Sequence, residues 1–350
     1  MAKTAALAIA ASQPDLAPAF VGIDDGHYGI KAVTDAFGEL RSVYVPSRIA
    51  TGTMVDLGTK AEDNCYRDAD GRTFTVSAQL PFTDTRLGTY ALSAENHVLI
   101  HHALIQLGLS GRDVKIATGL PVSDFYLNGK TNDDFIQRKI EALANAKLRN
   151  ANDSVPLARI VGHTVYSEAI AAFYDCAVDE QGGEVTALMD QAENGPIAFV
   201  DIGGGTTDVA VVLNGGSSVD TDRSGSARLG GLSLNAAVEN GIKAAKGWKS
   251  LTPKQVDAAI ETGSVRALGA DHDFSELVRY EKEQLAKKII AELAKRVGDG
   301  ADLEAVYFVG GGTKLLHEQL NDLYPHAVFV GDPQYANSNG LWKAVKYLQG

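Results

Sequence analysis

Basic residues are scarce in this 350-residue sequence: 32 Lys and Arg face 44 Asp and Glu, a formal net charge of −12. Binding to phosphate polymers rests on Lys and Arg displacing counterions, so broad contact with DNA or an anionic membrane is disfavoured. Any link to nucleic acid should run through a partner. Cysteine is nearly absent as well. Cys65 and Cys176 stand in no metal-like spacing, and two reduced thiols in a cytoplasmic protein is the simplest reading. No apolar run approaches the ~20 residues of a membrane-spanning helix. The start, MAKTAALAIAASQPDLAP, has a short alanine-rich stretch from Ala5 to Ala11, but Asp15 and two prolines follow. Residues 1–18 therefore read as a flexible leader, neither a signal peptide nor a strong amphipathic anchor.

Glycine, by contrast, is enriched, and it is concentrated: 36 residues, with clusters at 203–205, 215–216, 230–231 and 310–312. The length exceeds what one hydrophobic core usually supports, so two domains are expected. AFVGI (19–23) reads as a strand, DDGHYG (24–29) as a turn, and IKAVTDA and ELRSVYVPSRI as two more strands of an antiparallel meander. Residues 51–90 suggest further short strands and loops. Ser93 to Leu109 has helical spacing, VKIATGLP (114–121) reads as a strand, and Asn132 to Leu148 as a charged helix. ARIVGHTVY leads into a helix over 167–178, and 179–196 reads as a surface excursion at a domain boundary.

The second half opens as the first does. IAFVDIGGGTTDVAVVL is strand, glycine turn, strand; Gly230-Gly231 opens a helix; Thr252-Pro253 starts another. Phe274 to Val297 continues as a long helix, and AVYFVGGGTKLLHEQLNDLY is strand, glycine loop, helix. Each half thus carries an apolar strand ending in Asp-x-Gly, at Asp24 and at Asp201, separated by about half the chain. The pattern predicts a duplicated α/β unit whose two copies face each other across a cleft.

Two such turns aimed into one cleft suit a polyphosphate. Consecutive backbone N–H groups left bare by glycine form an anion-binding nest. Gly203, Gly204 and Gly205 would supply one nest, with the hydroxyls of Thr206 and Thr207; Asp25, Gly26, His27, Tyr28 and Gly29 form the other turn, with Lys31 as a point charge. Asp24 and Asp201 make sense beside phosphates if they anchor Mg²⁺, which is commonly held by one or two carboxylates together with phosphate oxygens and water. Gly310, Gly311 and Gly312, followed by Lys314, would let a purine or ribose lie against the backbone. His101-His102 falls on an apolar helix without acidic or cysteine company, and buried, satisfied histidines are expected there. The mixed charges of RYEKEQLAKKIIAELAKRV read as a solvated helix face.

The order IDDG…K, a helix with Glu168, DIGGGTTD and VGGGTK resembles the actin, Hsp70 and sugar-kinase ATPase superfamily. IHHALIQLGLSGRDVKIATGLPVSDFY, DDFIQRKIEAL and QYANSNGLWKAVKYL narrow the resemblance to the plasmid-segregation actins of the ParM/StbA type. It implies an actin-like α/β fold of two duplicated RNase H-like domains, 19–178 plus 334–350 and 179–333, facing a nucleotide cleft. It also implies ATP, or GTP, with Mg²⁺ as cofactors, Asp24 and Asp201 at the metal, and Asp201 and Glu168 as catalytic residues, Glu168 positioning the attacking water. Gly230 and Gly231 join the nucleotide contacts. The implied partners are further copies of the chain in a filament and a small DNA-binding adaptor of the ParR type on a centromere-like site. One position departs from the superfamily: Ser or Thr often follows the glycine of the first turn, where this chain has His27-Tyr28. Glu168, at the start of its expected helix, would also be favoured by the helix dipole alone. Rival readings are a chromosomal cytoskeletal actin, a small-molecule kinase needing an acid or base for a substrate hydroxyl, and an Hsp70-type chaperone needing a substrate-binding domain after Gly350.

Overall fold

A computed structural model describes residues 16–52, 64–80 and 89–348. Most of the expected leader (1–15) and parts of the 51–90 stretch (53–63 and 81–88) lie outside the described residues. The first sheet contains β1 (Ala19–Asp25), β2 (Gly29–Thr34), β3 (Arg41–Pro46), β4 (Asp113–Leu120) and β5 (Arg159–Ser167), in the order β5-β4-β1-β2-β3. β1, β2 and β3 are antiparallel, whereas β4 and β5 run parallel to β1. β1 and β2 are covered on both faces, so their side chains form near-continuous apolar runs rather than an alternation. The third expected strand divides at Pro46 and Ser47, and Ile49–Thr51 joins a separate small sheet with Thr73–Val76, Cys65–Arg67 and Arg149–Asn150.

The second sheet repeats the plan. β6 (Ile197–Ile202) and β7 (Thr207–Leu213) form the hairpin, β8 (Ala305–Val309) runs parallel to β6, and β9 (Ala327–Phe329) parallel to β8. Ser218–Val219 and Gly225–Ala227 pair with the outer side of β7. Asp24 lies opposite Lys31 across the first hairpin, and Asp201 opposite Asp208 across the second. The duplicated register therefore holds while the charge of its partner changes sign.

Helices α1 (Ala94–Gln106), α2 (Asp133–Ala144), α3 (Ile170–Ala177), α4 (Thr186–Asn194), α5 (Gly231–Lys246), α6 (Pro253–Thr262), α7 (Ser275–Val297), α8 (Gly311–Leu315) and α9 (Ala336–Lys343) cover the sheets. Local chemistry sets several ends. Ser93 caps α1 by accepting from Asn96 N, and Thr252 with Gln255 forms a capping box at α6 ahead of Pro253. Val98, Leu99 and Leu104 of α1 join Ile23, Ile30 and Ile116 in the first core. Leu234, Val238 and Ile289 join Val200, Val209 and Phe308 in the second. Burying one such aliphatic side chain contributes about 1.5–3 kcal/mol.

Three further expectations need correction. Residues 179–196 are not merely a surface excursion, because α4 lies within them and buries Leu188 and Ala192. The helix expected over 167–178 begins only at Ile170, since Ala169 has φ +62° and breaks the helical path after Glu168. His102 Nδ1 is satisfied by Tyr66 Oη at 2.8 Å, but His101 Nδ1 has no hydrogen-bond partner among the described residues. Burial pushes both rings down to about 4, so they are neutral core groups at pH 7.

Helices α3 and α9 cross between the sheets with their backbones in contact. A Cβ on Gly340 would lie 1.7 Å from the Ala171 carbonyl oxygen, and one on Gly22 of β1 would lie 2.1 Å from that of Ser338. Lys343 Nζ ties the crossing by donating to the Asp175 carbonyl at 2.6 Å and to its carboxylate at 2.7 Å. Phe173 of α3 packs with Phe199 and Ala210 of the second sheet, while Ala171 on the same helix packs with Ala117 and Leu341.

Candidate functional site

The β1–β2 and β6–β7 turns meet tip to tip. A Cβ on Gly204 would lie 2.2 Å from Tyr28 Cβ, and one on Gly205 would lie 2.5 Å from His27 Cδ2. Only glycine lets the second turn approach the first so closely. Ser47 secures the first turn from behind, its N–H donating to the Tyr28 carbonyl at 3.0 Å and its hydroxyl to that of Gly26 at 2.9 Å.

Beside the turns lies a cavity of about 440 Å³. Its wall includes Asp24, Asp25, Gly26, His27, Tyr28, Lys31, Glu168, Asp201, Gly203, Gly204, Gly205, Thr206, Gly231, Gly310, Gly311 and Gly312. Most of the residues singled out from the sequence are therefore gathered around one space. Four are not on this wall. Gly29 backs onto the Tyr44 ring, Thr207 Oγ1 donates to the Leu229 carbonyl at 2.9 Å, and Gly230 rests on the Gly203 and Gly204 carbonyls. Lys314 turns to the surface and pairs with Asp332 at 3.2 Å. Gly310, at φ +85°, closes over Asp201: a Cβ there would lie 2.1 Å from Asp201 Oδ1.

The electrostatics are those of crowded, buried acids. Lys31 Nζ bonds Asp24 Oδ2 at 2.9 Å. Burial opposes its charge, but Asp24, with Asp201 and Glu168 farther off, holds the ammonium above its usual range. Burial, then the charges of Asp24 and Asp208, push Asp201 up to about 7, against a 2.6 Å hydrogen bond from Asn337 Nδ2. Burial also raises Glu168 well above the carboxylate range, reinforced by Asp208, Asp24, Asp201 and Asp25. Glu168 is placed by the end of the first sheet rather than by a helix dipole. Its N–H donates to the Leu120 carbonyl at 2.8 Å, and a Cβ on Gly119 would lie 2.9 Å from its Cγ.

Buried acids in such excess over ammonium groups fit a site completed by a cation. No group of three or more His, Cys, Asp or Glu among the described residues is spaced to hold a metal by itself. A cation bound here would thus share its coordination with ligand oxygens and water, as Mg²⁺ commonly does.

Several residues at the site escaped sequence reasoning. Lys139 of α2, fully buried, donates to Asp25 Oδ1 at 2.9 Å and to the Gly119 carbonyl at 2.5 Å, and Asn96 Nδ2 donates to Asp25 Oδ2 at 3.0 Å. Asp208 accepts from Val122 N at 2.8 Å and from the Ser226 hydroxyl. Asp208 had a signal, since it closes the DIGGGTTD motif at the same distance from Asp201 as Lys31 from Asp24. Lys139 and Asn337 had none, because only packing brings their helices to the strand ends.

Residues 20–179 match the family described as Plasmid segregation protein ParM, N-terminal, and residues 199–322 match Archaeal actin homologue MreB-like, C-terminal. The chain is thus similar to ParM over its first half and to an archaeal actin homologue over most of its second, each model spanning less than half of the whole. Among solved structures, it is similar to a 15-stranded ParM filament from Clostridium botulinum, with a TM-score of 0.76 and 18% identity over 95% of this chain and 99% of that one. The archaeal actin homolog Ta0583 in complex with ADP has a TM-score of 0.73 and 20% identity, over 93% and 98% of the two chains. Actin-like protein Alp7A follows at 0.72 and 13%, over 93% and 95%. Among curated proteins none matches. At these identities the structural likeness is one of fold, and it agrees with the duplicated hairpin-and-parallel-strand plan of this chain. No helix among its described residues is long and apolar enough to cross a membrane.

Proposed function

We propose that this chain is a ParM-like actin that binds ATP and Mg²⁺ in the cavity between its two sheets, assembles into filaments in the ATP-bound state, and hydrolyses the nucleotide slowly. The observation that carries this reading is the tip-to-tip meeting of two hairpin turns beside a cavity lined by Lys31 and by buried acids that outnumber the ammonium groups. The backbone N–H groups of Gly26 and of Gly203 to Gly205 would cradle phosphates, helped by Thr206, with Lys31 as the nearby ammonium. Asp24 and Asp201 would anchor Mg²⁺, which when bound supplies charge neutralisation to the phosphates. Glu168, whose raised affinity for protons suits a base, would orient the attacking water. Glycines 310 to 312 would lie against the base or ribose.

Residues 19–178 with 334–350, and residues 179–333, would act as the two bodies, pivoting where α3 crosses α9. The terminal phosphate would hold them shut, and its loss would loosen filament contacts. Filaments of this kind would move plasmid copies apart through a small DNA-binding adaptor of the ParR type. A separate DNA reader suits a chain with a net charge of −12. Light scattering of the purified protein with ATP, ADP and no nucleotide tests the reading. A rise confined to ATP is expected; no assembly together with phosphorylation of a sugar would transfer the chain to the kinases of the superfamily.

A further inference from the structure

We infer that Asp257 is a positioning residue: it latches the first turn to the opposite side of the cleft and so governs how fast nucleotide leaves. The inference rests on the nucleotide reading of the cavity. Asp257 stands on α6, in the second half of the chain. Its Oδ2 accepts from Arg48 Nη2 at 2.6 Å, although Arg48 belongs to the first half, just beyond β3. The other guanidinium nitrogen, Nη1, donates to the Ala78 carbonyl at 2.7 Å, which fixes Arg48 from behind, and only 5% of the Arg48 side chain is exposed. The second carboxylate oxygen of Asp257 accepts from Tyr28 Oη at 3.3 Å and from Asn235 Nδ2 of α5 at 3.4 Å.

One carboxylate therefore collects two groups of the first half and one of the second. Tyr28 is part of the turn itself and lies against Gly204 of the opposing turn. Ser47, next to Arg48, holds the same turn through the Tyr28 and Gly26 carbonyls. The unusual Tyr28 thereby acquires a use: its hydroxyl is directed to Asp257. Other hydrogen bonds across the cleft, such as Val122 to Asp208 and Ser123 to Ser226, join the segment after β4 to β7 and its neighbour rather than to the first turn. The Lys343–Asp175 pair fastens the helix crossing. The Arg48–Asp257 pair thus fastens the turn that the crossing does not reach. Removing either partner takes this 2.6 Å ion pair from the other, and for a buried guanidinium the loss of a close carboxylate is costly.

The test uses the full chain, with a fluorescent ADP analogue released under stopped flow and with small-angle X-ray scattering of the nucleotide-free protein. Arg48→Ala should release the analogue about tenfold faster than wild type and Asp257→Ala, which also frees Tyr28, at least as fast, and the double variant no faster than Asp257→Ala alone, because the Arg48 pair is already lost there. Arg48→Lys should restore part of the slow release, a rescue that a purely structural role would not produce. Tyr28→Phe, which deletes a single oxygen and spares the fold, should accelerate release by about threefold, the size of one modest hydrogen bond. The radius of gyration should be larger in the Asp257→Ala protein. Release within twofold of wild type for Asp257→Ala and Tyr28→Phe, with an unchanged radius, would overturn the latch. A wild-type chain that holds no purine nucleotide would overturn the reading of the cavity instead, and the scattering comparison would then decide the latch alone.

Discussion

Replacing Asp201 with asparagine should make the nucleotide-free protein more stable above neutral pH. Asp201 ends β6 with only 4% of its surface exposed, and burial, then Asp24 and Asp208, raise its pKa from 3.8 to about 7. The folded chain therefore holds this proton more tightly than the unfolded chain does. Below about pH 4 both states are protonated and nothing is lost. Above about pH 7 both are ionised, and the folded state alone carries the buried charge. Stability must fall as pH rises through that window, by roughly 4 kcal/mol at about 1.4 kcal/mol per pH unit. With an unfolding entropy of about 2.1 cal/mol/K per residue, that is a difference in Tm of about 6 °C for a chain of this length. Asparagine keeps the shape, can still accept from Asn337, and cannot ionise. Calorimetry in a chelating buffer without nucleotide should show the Tm of wild type falling relative to Asp201→Asn between about pH 4 and pH 7, and no further above that. Mg²⁺ with ATP should recover the lost stability in wild type and little in the variant, since the cation answers a charge that the variant lacks. Parallel pH profiles for the two proteins would refute the reasoning, for they would mean that Asp201 is not held under electrostatic stress.

Two further outcomes are expected. Glu168→Ala should slow hydrolysis by a factor on the order of 10² to 10⁴, the usual contribution of a positioned base, while leaving the nucleotide dissociation constant nearly unchanged; turnover at the wild-type rate would remove Glu168 from the reaction. Gly340→Ala should lower the urea midpoint by an amount equivalent to about 2 kcal/mol or more, because its methyl group would fall 1.7 Å from the Ala171 carbonyl oxygen and force α3 and α9 apart. An unaltered midpoint would mean that the helices do not cross at that contact.

The repeated strand, turn and strand, the two Asp-Gly turns and the glycine loop before α8 were all readable in one dimension. Apolar runs and glycine clusters act locally: they specify a strand or a tight turn through the conformations of a few adjacent residues, whatever lies elsewhere in the chain. The gathering of those turns around one cavity followed from noticing the duplication. Where local signals ended, the reading failed. α4 was missed because its apolar residues are few and its burial comes from neighbours. The break at Ala169, which detaches Glu168 from the helix after it, follows from how β5 and β4 end beside one another. Lys139 reaches Asp25 across 114 positions, Asn337 reaches Asp201 across 136, and Arg48 reaches Asp257 across 209. No periodicity records such pairs. They exist because close-packed helices and sheets bring distant side chains into a buried space, where an unpaired charge is too costly to persist.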